Sequence, residues 1–544
     1  RLKKYKFNKI SCFFFLLFSK TILAKIDVLS IKFPVFSSHK DSSQLSLGEK
    51  GKIDDYIKKI NTDLMVSIQP RVCSRVSKKS LLKKILNYNR AMSIVSYLDH
   101  KHKKKIRYQI LYPEKTSKPF HYDSCVTTVY LKKITEESWL DLATDLIRCG
   151  QPASGNALDP DLPNGEEEAI AHMVAGELKG MGFKVEMPAK KVGRPNVIGR
   201  IKGSNGPSLM INDHLDTYPV VEPEKWDKTN YDPYNATKHG NQLYARGTSD
   251  TRGNLASALL ALRAVTSEKI KLKGELIACF TVDEERDGTD GSIYMVKEKN
   301  LNPDYSITTE PTAWGGADGP WGMSISTANS GHCLIEIDIK GTKGHIWRPD
   351  IVSNPILEAG RLLSDLENMK FEYVPDKFMG HTPPMCSVVR IKGGLKGEIQ
   401  FSPDTCTITL AVVGIIPGMT LDTVLHDINK VVDSKLGHQN NIHAEVRQLP
   451  GSLFVAGTES VSSDEEPVNT LSEVYKIMRG EFPKLNRKNA FNDTIRFREA
   501  GINAITFGPG EDGWAADNEW ISIPKSIEAA KIYAVTILRL LKAS

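Results

Sequence analysis

Cysteine is scarce in this chain: eight residues in 544, scattered from Cys12 to Cys406, with no CxxC pair among them. Such spacing supplies neither a disulfide framework nor a thiolate zinc site, and it fits a reducing compartment. Long apolar runs are missing as well. None reaches the roughly 18 residues that a membrane-crossing helix needs. There is no internal repeat and no RNA- or DNA-binding motif. Glycine and proline stand at 40 and 28, with 40% hydrophobic and 25% charged residues, so collagen-like and wholly disordered chains are excluded. At about 100–200 residues per domain, the length implies two to four domains.

The formal net charge of +7 hides an uneven distribution. Residues 1–135 hold 29 Lys/Arg against 9 Asp/Glu, a balance of +20, while the remainder holds 43 against 56, a balance of −13. A basic extension precedes an acidic body. The extension is Lys- and Ser-rich without a sustained period, so we expect poor order there, and KHKKKIR (Lys101 to Arg107) reads as a solvated charge run. Lys3, Lys4, Lys6 and Lys9 precede the short apolar run from Ile10 to Phe18, the outline of a secretory signal. Lys20 interrupts that outline and Ile22-Leu23-Ala24 is a poor cleavage site. The expectation is therefore a cytoplasmic protein, with secretion as the alternative.

Beyond Glu136 the pattern becomes regular. Apolar residues near helical spacing run from Glu166 towards Glu186 and stop at a glycine. NVIGRIKG, SLMINDHLD and GELIACFTVDEE read as strands, and NLASALLALRAV as a helix between the last two. Alternating strands and helices imply an α/β sheet covered on both faces. From about Ser326 the order becomes β-α-β-β-α-β, that of a compact α+β module of ferredoxin-like type. Helix, strand and helix then return after about Pro450. We expect an extension over 1–135, a catalytic domain over 136–325 and 449–544, and an inserted module over 326–448.

Acidic residues and one histidine gather where strands should end. His214 and Asp216 lie in INDHLDTYP, Asp250 in ARGTSDTRGN, Glu284 and Glu285 in FTVDEERDG, and Glu310 in TTEPT. Ligands of open α/β sheets sit at the carboxyl ends of strands. One His with several carboxylates suits a borderline divalent ion, Zn²⁺ first, with Mn²⁺ or Co²⁺ as alternatives. Two adjacent Glu can divide labour, one coordinating and one acting as general base. Singly, each acid also reads as a turn former or helix cap. Their joint occurrence points to a site.

From Glu136 onwards the chain resembles the dinuclear zinc deacylases and exopeptidases that include acetylornithine deacetylase, succinyl-diaminopimelate desuccinylase, aminoacylase-1 and glutamate carboxypeptidase. HLDTYP, ARGTSDTRGN, DEE and TEPT occur in family order. The resemblance implies a metallopeptidase-type catalytic domain with a mixed sheet, interrupted by a lid and dimerisation domain. It implies one or two Zn²⁺ per chain. His214 and Glu310 would hold the first metal, Asp250 would bridge, and Glu285 would hold the second. Asp216 would orient His214, Glu284 would be the general acid/base, and His345 in GTKGHIWRPDIVSNPI would reach the partner subunit's site to stabilise an oxyanion.

Three departures from that pattern involve four positions. Ala515 stands where a histidine ligand of the second metal is usual, with Asp517 two residues on. Val412 and Gly414 stand where the lid strand usually carries Asp-x-Arg. Arg252 replaces a common Lys. Arg496 is a candidate anchor for a substrate carboxylate, one place out of register. The expected function is hydrolysis of the amide bond in small N-acyl amino acids or short peptides by a homodimer, without nucleic acid or a membrane span. The alternative is a metal-binding homologue of impaired catalysis.

Overall fold

The computed structural model describes residues 134–149, 166–266, 271–316, 321–375, 383–397, 399–437, 441–511 and 516–542, together with four short strands of the extension. Those strands, Phe13–Phe18, Asp27–Lys32, Leu64–Ile68 and Arg107–Ile110, pair as one sheet. The rest of the basic extension up to Lys133, where poor order is expected, lies outside the described residues. Runs such as FFFLLF and DVLSIK are short but rich in aromatic and branched residues, which suit an extended backbone.

The body opens with α1 (Glu136–Cys149) and α2 (Glu168–Gly180), followed by β1 (Lys184–Glu186), β2 (Val197–Ile201) and β3 (Ser208–His214). Then come α3 (Gly253–Thr266), β4 (Glu275–Thr281), β5 (Tyr305–Thr308) and β6 (Ile325–Asn329). A second set follows: β7 (Gly331–Lys340), α4 (Pro355–Asn368), β8 (Met385–Gly393), β9 (Thr405–Ile415), α5 (Leu421–Leu436) and β10 (His443–Gln448). The chain closes with α6 (Glu466–Arg479), β11 (Leu485–Lys488), α7 (Thr494–Glu499), β12 (Asn503–Thr506) and α8 (Ile523–Leu540).

The large sheet has the order β11-β6-β12-β5-β3-β4-β2-β1, with β12, β5, β3 and β4 parallel at its centre. Both faces are covered, so its strands alternate between two cores rather than between core and water. Leu209 and Ile211 of β3 face the core formed with α1, α2, α3, α6 and α8, while Met210 faces the core formed with α7. α3 is apolar on nearly every side, and all its residues except Arg263 and Thr266 are buried. A helix of that composition belongs in the middle of a domain.

The smaller sheet, β8-β9-β7-β10, is antiparallel throughout and packs against α4 and α5 around its own core of Ile335, Ile337, Leu410, Val412 and Val424. The chain passes from one sheet to the other at Ser330, whose N–H bonds the Lys488 carbonyl at 2.8 Å. Gly414 is the extra residue of a bulge in β9, at φ +78°, where glycine adopts the left-handed region without a Cβ clash. No helix among the described residues is long and apolar enough to cross a membrane.

Candidate metal centre

The parallel strands deliver the expected residues to one edge of the large sheet. His214 ends β3, Glu310 follows β5, and Glu284 and Glu285 form a turn after β4. Asp250 lies in the turn before α3 and forms a cis peptide with Thr251.

His214 is buried. Its Nδ1 lies 3.0 Å from the Asp216 backbone carbonyl and 3.4 Å from the Asp216 carboxylate. A carbonyl oxygen can only accept, so Nδ1 carries the proton. Nε2 then faces Asp250 Oδ1 at 3.0 Å, Glu310 Oε1 at 3.2 Å and Glu284 Oε2 at 3.8 Å. A nitrogen lone pair aimed at three carboxylates needs a cation among them. Without a metal that cation is a proton: burial opposes charge on the ring, but Glu284, Asp216, Asp250 and Glu310 outweigh it and hold His214 well above its usual range.

The neighbouring acids carry the same signature. Burial, reinforced by Asp250, pushes Glu285 up. Burial, opposed by His214 and reinforced by Glu310 and Glu285, pushes Glu284 up. Glu285 Oε1 is buried and finds no hydrogen-bond partner. Two donor sets share His214, one with Asp250 and Glu285 and one with Asp213 and Glu310, and the ligand atoms in each lie within 4.8 Å of one another. An orphaned carboxylate oxygen and two converging donor sets fit a divalent metal.

Other groups fix this arrangement. The Asp216 carboxylate accepts from the N–H groups of Glu284 at 3.2 Å and Glu285 at 3.1 Å, so it ties the histidine loop to the glutamate turn. Asp216 thus meets the imidazole through its backbone carbonyl as well as its carboxylate, and the carbonyl contact is one the sequence does not show. Beneath the turn, Arg194 bonds Glu167 at 2.5 and 2.8 Å and Asp283 at 2.8 Å. Glu519 is buried and accepts from the N–H groups of Gly247, Ser249 and Asp250 and from Arg246, at 2.7–3.0 Å. Asp213, also buried, accepts from the His214 N–H at 2.9 Å, the Thr309 hydroxyl at 2.6 Å and the Thr251 hydroxyl. It thus joins the three segments that carry His214, Asp250 and Glu310. Sequence reasoning missed Asp213 and Glu519, although Asp213 lies within INDHLDTYP and Glu519 stands four residues after Ala515.

A cavity of about 350 Å³ opens beside these groups. Asp250, Glu284, Glu285, Asp287 and Glu310 line one side, with Tyr218, His332, Val413 and Lys488 to Phe491 around the rest. His345 is not among the lining residues; it sits in the smaller unit against Phe401, ring centres 5.1 Å apart. Arg496 does not line the cavity either. Its guanidinium bonds the Asp287 carbonyl and Glu499, and its Nη2 is buried without a hydrogen-bond partner. Ala515 lies outside the described residues, and Asp517 is exposed. Arg252 is fully buried and donates to the Ile147 carbonyl at 3.1 Å.

The model of peptidase family M20/M25/M40 matches residues 210–539. Succinyl-diaminopimelate desuccinylase of Hydrogenovibrio crunogenus is 26% identical over 374 residues, covering 68% of this chain and 93% of that protein. N-formyl-4-amino-5-aminomethyl-2-methylpyrimidine deformylase of Bacillus subtilis is 26% identical over 428 residues, 74% of this chain and 94% of that one. Human carnosine dipeptidase 1 superposes with a TM-score of 0.61 at 16% identity, over 76% of this chain and 99% of the other, a likeness of fold. The chain is a hydrolase of amide or peptide bonds, and it belongs to peptidase family M20/M25/M40.

Proposed function

We propose that the chain is a metal-dependent amidohydrolase acting on small N-acyl amino acids or short peptides. The observation that carries this reading is the His214 imidazole, which offers Nε2 to three carboxylates while Nδ1 is committed to a carbonyl. His214, Asp250 and Glu310 would hold a first ion, and Asp250 with Glu285 a second. Zn²⁺ suits the first set, while Co²⁺ or Mn²⁺ suits the oxygen-rich second set equally well. A bound ion supplies Lewis-acid polarisation of the amide carbonyl and a lower pKa for the attacking water. Glu284, buried at the cavity wall, takes the proton from that water and passes it to the leaving amine.

The smaller unit serves as lid and dimerisation surface in this reading. Among the described residues its strand β8 stands at the edge of the sheet, and Trp347, Leu357 and Val389 of the same unit are exposed. A two-fold dimer through that face would carry His345 to the other subunit's cavity as an oxyanion donor. Scattered cysteines favour a cytoplasmic location. Names of the relatives, a desuccinylase, a deformylase and a dipeptidase, agree with a small acylated or peptide substrate.

The test is metal analysis of the purified chain together with hydrolysis of a panel of N-acetyl, N-succinyl and dipeptide substrates. Bound divalent metal and turnover of at least one class are expected. A metal-free chain that stays inactive when Zn²⁺, Co²⁺ or Mn²⁺ is added would overturn the reading and favour the impaired alternative.

A further inference from the structure

The segment that carries His214 and Asp216 reaches the cavity a second time. Two residues past Asp216, Tyr218 lines the wall together with Asp250, Glu284 and Glu285. Its backbone is fixed from both sides. Leu215 donates its N–H to the Thr281 carbonyl at 2.7 Å, Thr217 is buried, and Pro219 restricts the residue before it to extended conformations. The Tyr218 side chain is 40% exposed, and its hydroxyl makes no hydrogen bond to another described residue.

The groups around that hydroxyl are acceptors. Asp250, Glu284, Glu285 and Glu310 line the same cavity, and ionised carboxylates cannot donate. The lining cations are engaged elsewhere: Lys488 bonds the Pro311 carbonyl and pairs with Glu310, and His332 pairs with Asp287 at 2.9 Å. Asn489 can donate, but it follows Lys488 at the end of β11. Tyr218 stands instead among the expected metal ligands and the proton acceptor. Glu285 acts on its phenol most strongly, with Asp250, Glu284 and Asp287 adding to it, and together they hold it well above its usual range. A phenol of ordinary pKa, about 10, is already protonated at neutral pH, so the oxygen presents a neutral O–H.

We infer that Tyr218 is a further catalytic residue, which donates its O–H to the oxygen of the scissile carbonyl as negative charge develops there. This inference rests on the amidohydrolase reading. The carbonyl oxygen gains charge as water adds to the carbon, so a donor already in place favours the transition state over the bound substrate. The contact is a hydrogen bond only. Tyr218 keeps its proton throughout, and Glu284 carries the proton from water to the leaving amine. The partner subunit's His345 would approach the same oxygen from outside the chain, whereas Tyr218 belongs to the chain that holds Glu284.

The experiment compares wild type with Tyr218→Phe, which keeps the ring and removes the O–H. Both chains are assayed on the N-acetyl, N-succinyl and dipeptide panel, and their metal content is measured. Calorimetry on the metal-loaded protein then follows binding of the phosphinate analogue of glycylglycine, a stable tetrahedral mimic. Tyr218→Phe should lower kcat about 100-fold, the effect of one oxyanion donor, with KM and metal content within about twofold of wild type. Affinity for the phosphinate should fall by a comparable factor. An unchanged kcat, with or without a raised KM, or loss of metal, would overturn the inference and leave Tyr218 as part of the cavity wall. If wild type cleaves nothing in the panel, the amidohydrolase reading fails, and the phosphinate still decides for Tyr218. Tighter binding by wild type than by Tyr218→Phe supports the donor, and equal binding, or none in either chain, overturns it.

Discussion

The large sheet gathers buried carboxylates around one histidine at its strand ends, whereas the smaller unit buries chiefly hydrocarbon. Each acid that the smaller unit buries has a basic partner, Glu336 with Arg447, Glu358 with Arg361 and Asp427 with Lys430. Asp213, Asp216, Glu284 and Glu310 are buried around one histidine. The core of the smaller unit is Ile, Leu and Val, with Asp338 half-exposed and bonded to Arg447 at 2.5 Å. Titration follows the same division. Burial drives Asp213, Glu284 and Glu285 upward, while the Thr407 and Arg447 hydrogen bonds overcome burial and hold Asp338 below its usual value. A cluster of like charges in low dielectric is unfavourable to the apo fold, so its presence is explained by what it binds. Ordinary packing explains the other unit.

The sharpest way to break this contrast is to remove one proton acceptor without changing shape. Glu284→Gln should lower kcat by about 10⁴-fold, the upper end of general-base effects, because the amide cannot shuttle the proton in either step. Metal content should stay near wild type, since Glu284 is assigned to the proton and not to the ion. Retention of more than a tenth of the activity would remove Glu284 from that role.

The next effect joins the two units. A His345→Ala chain and a Glu284→Gln chain, each nearly inactive, should recover about a quarter of wild-type activity once subunits exchange in a two-fold dimer. Half of the pairs are then mixed, and each mixed pair holds one site with an intact Glu284 and the partner subunit's His345. Failure after verified exchange would leave His345 as a surface residue packed on Phe401.

Metal removal should reverse the pH dependence of stability in the large unit alone. A group whose pKa is raised on folding contributes stability that is present below its unfolded value and lost as pH rises through the folded one. Asp283 and Asp493 are both pushed up to about 6, chiefly by burial, and Glu284, Glu285 and His214 are raised as well. The metal-free protein should therefore lose stability between about pH 4 and 7. Metal at a hundred times its Kd should add about 2.7 kcal/mol and favour the ionised forms, so its benefit grows with pH. Asp338 has the opposite sign: its contribution is present above about pH 4 and lost below. Thermal unfolding at pH 5 and 7.5, with and without chelator, reads these terms. A chelated protein more stable at pH 7.5 than at pH 5 would contradict the assignment.

Much of this organisation could be read before the fold was seen. Strand ends were marked by apolar runs that stop at His214, Glu284 or Glu310, and α3 by a long apolar segment. Groups that act through tertiary geometry were not marked. Glu519 accepts backbone N–H groups some 270 residues earlier in the chain. Asp213 meets Thr309 across 96 positions. Lys488 ends a short edge strand and looks like any surface lysine in sequence. Arg496, an attractive candidate by its neighbourhood, turns to Glu499 and the Asp287 carbonyl because α7 places it behind the cavity wall.

The smallest expected effect concerns the edge of the acidic cluster. Asp517 lies two residues after Ala515, near enough in sequence to replace a missing histidine if the loop moved inward. It is exposed, however, and belongs to neither donor set around His214. The loop carries a different anchor, the buried Glu519, whose bonds to Gly247, Ser249 and Asp250 fix the segment next to Asp517. Swinging Asp517 into the cluster would disturb that anchor. Asp517→Ala should therefore leave metal content and activity within about twofold of wild type, as for a surface substitution away from any packed or bonded feature. A second ion held by Asp250 and Glu285 alone should exchange readily, and Ala515→His should tighten it by adding an imidazole. Dialysis followed by metal analysis separates the cases. Two ions retained in wild type with one lost in Asp517→Ala would show that the aspartate completes the second site.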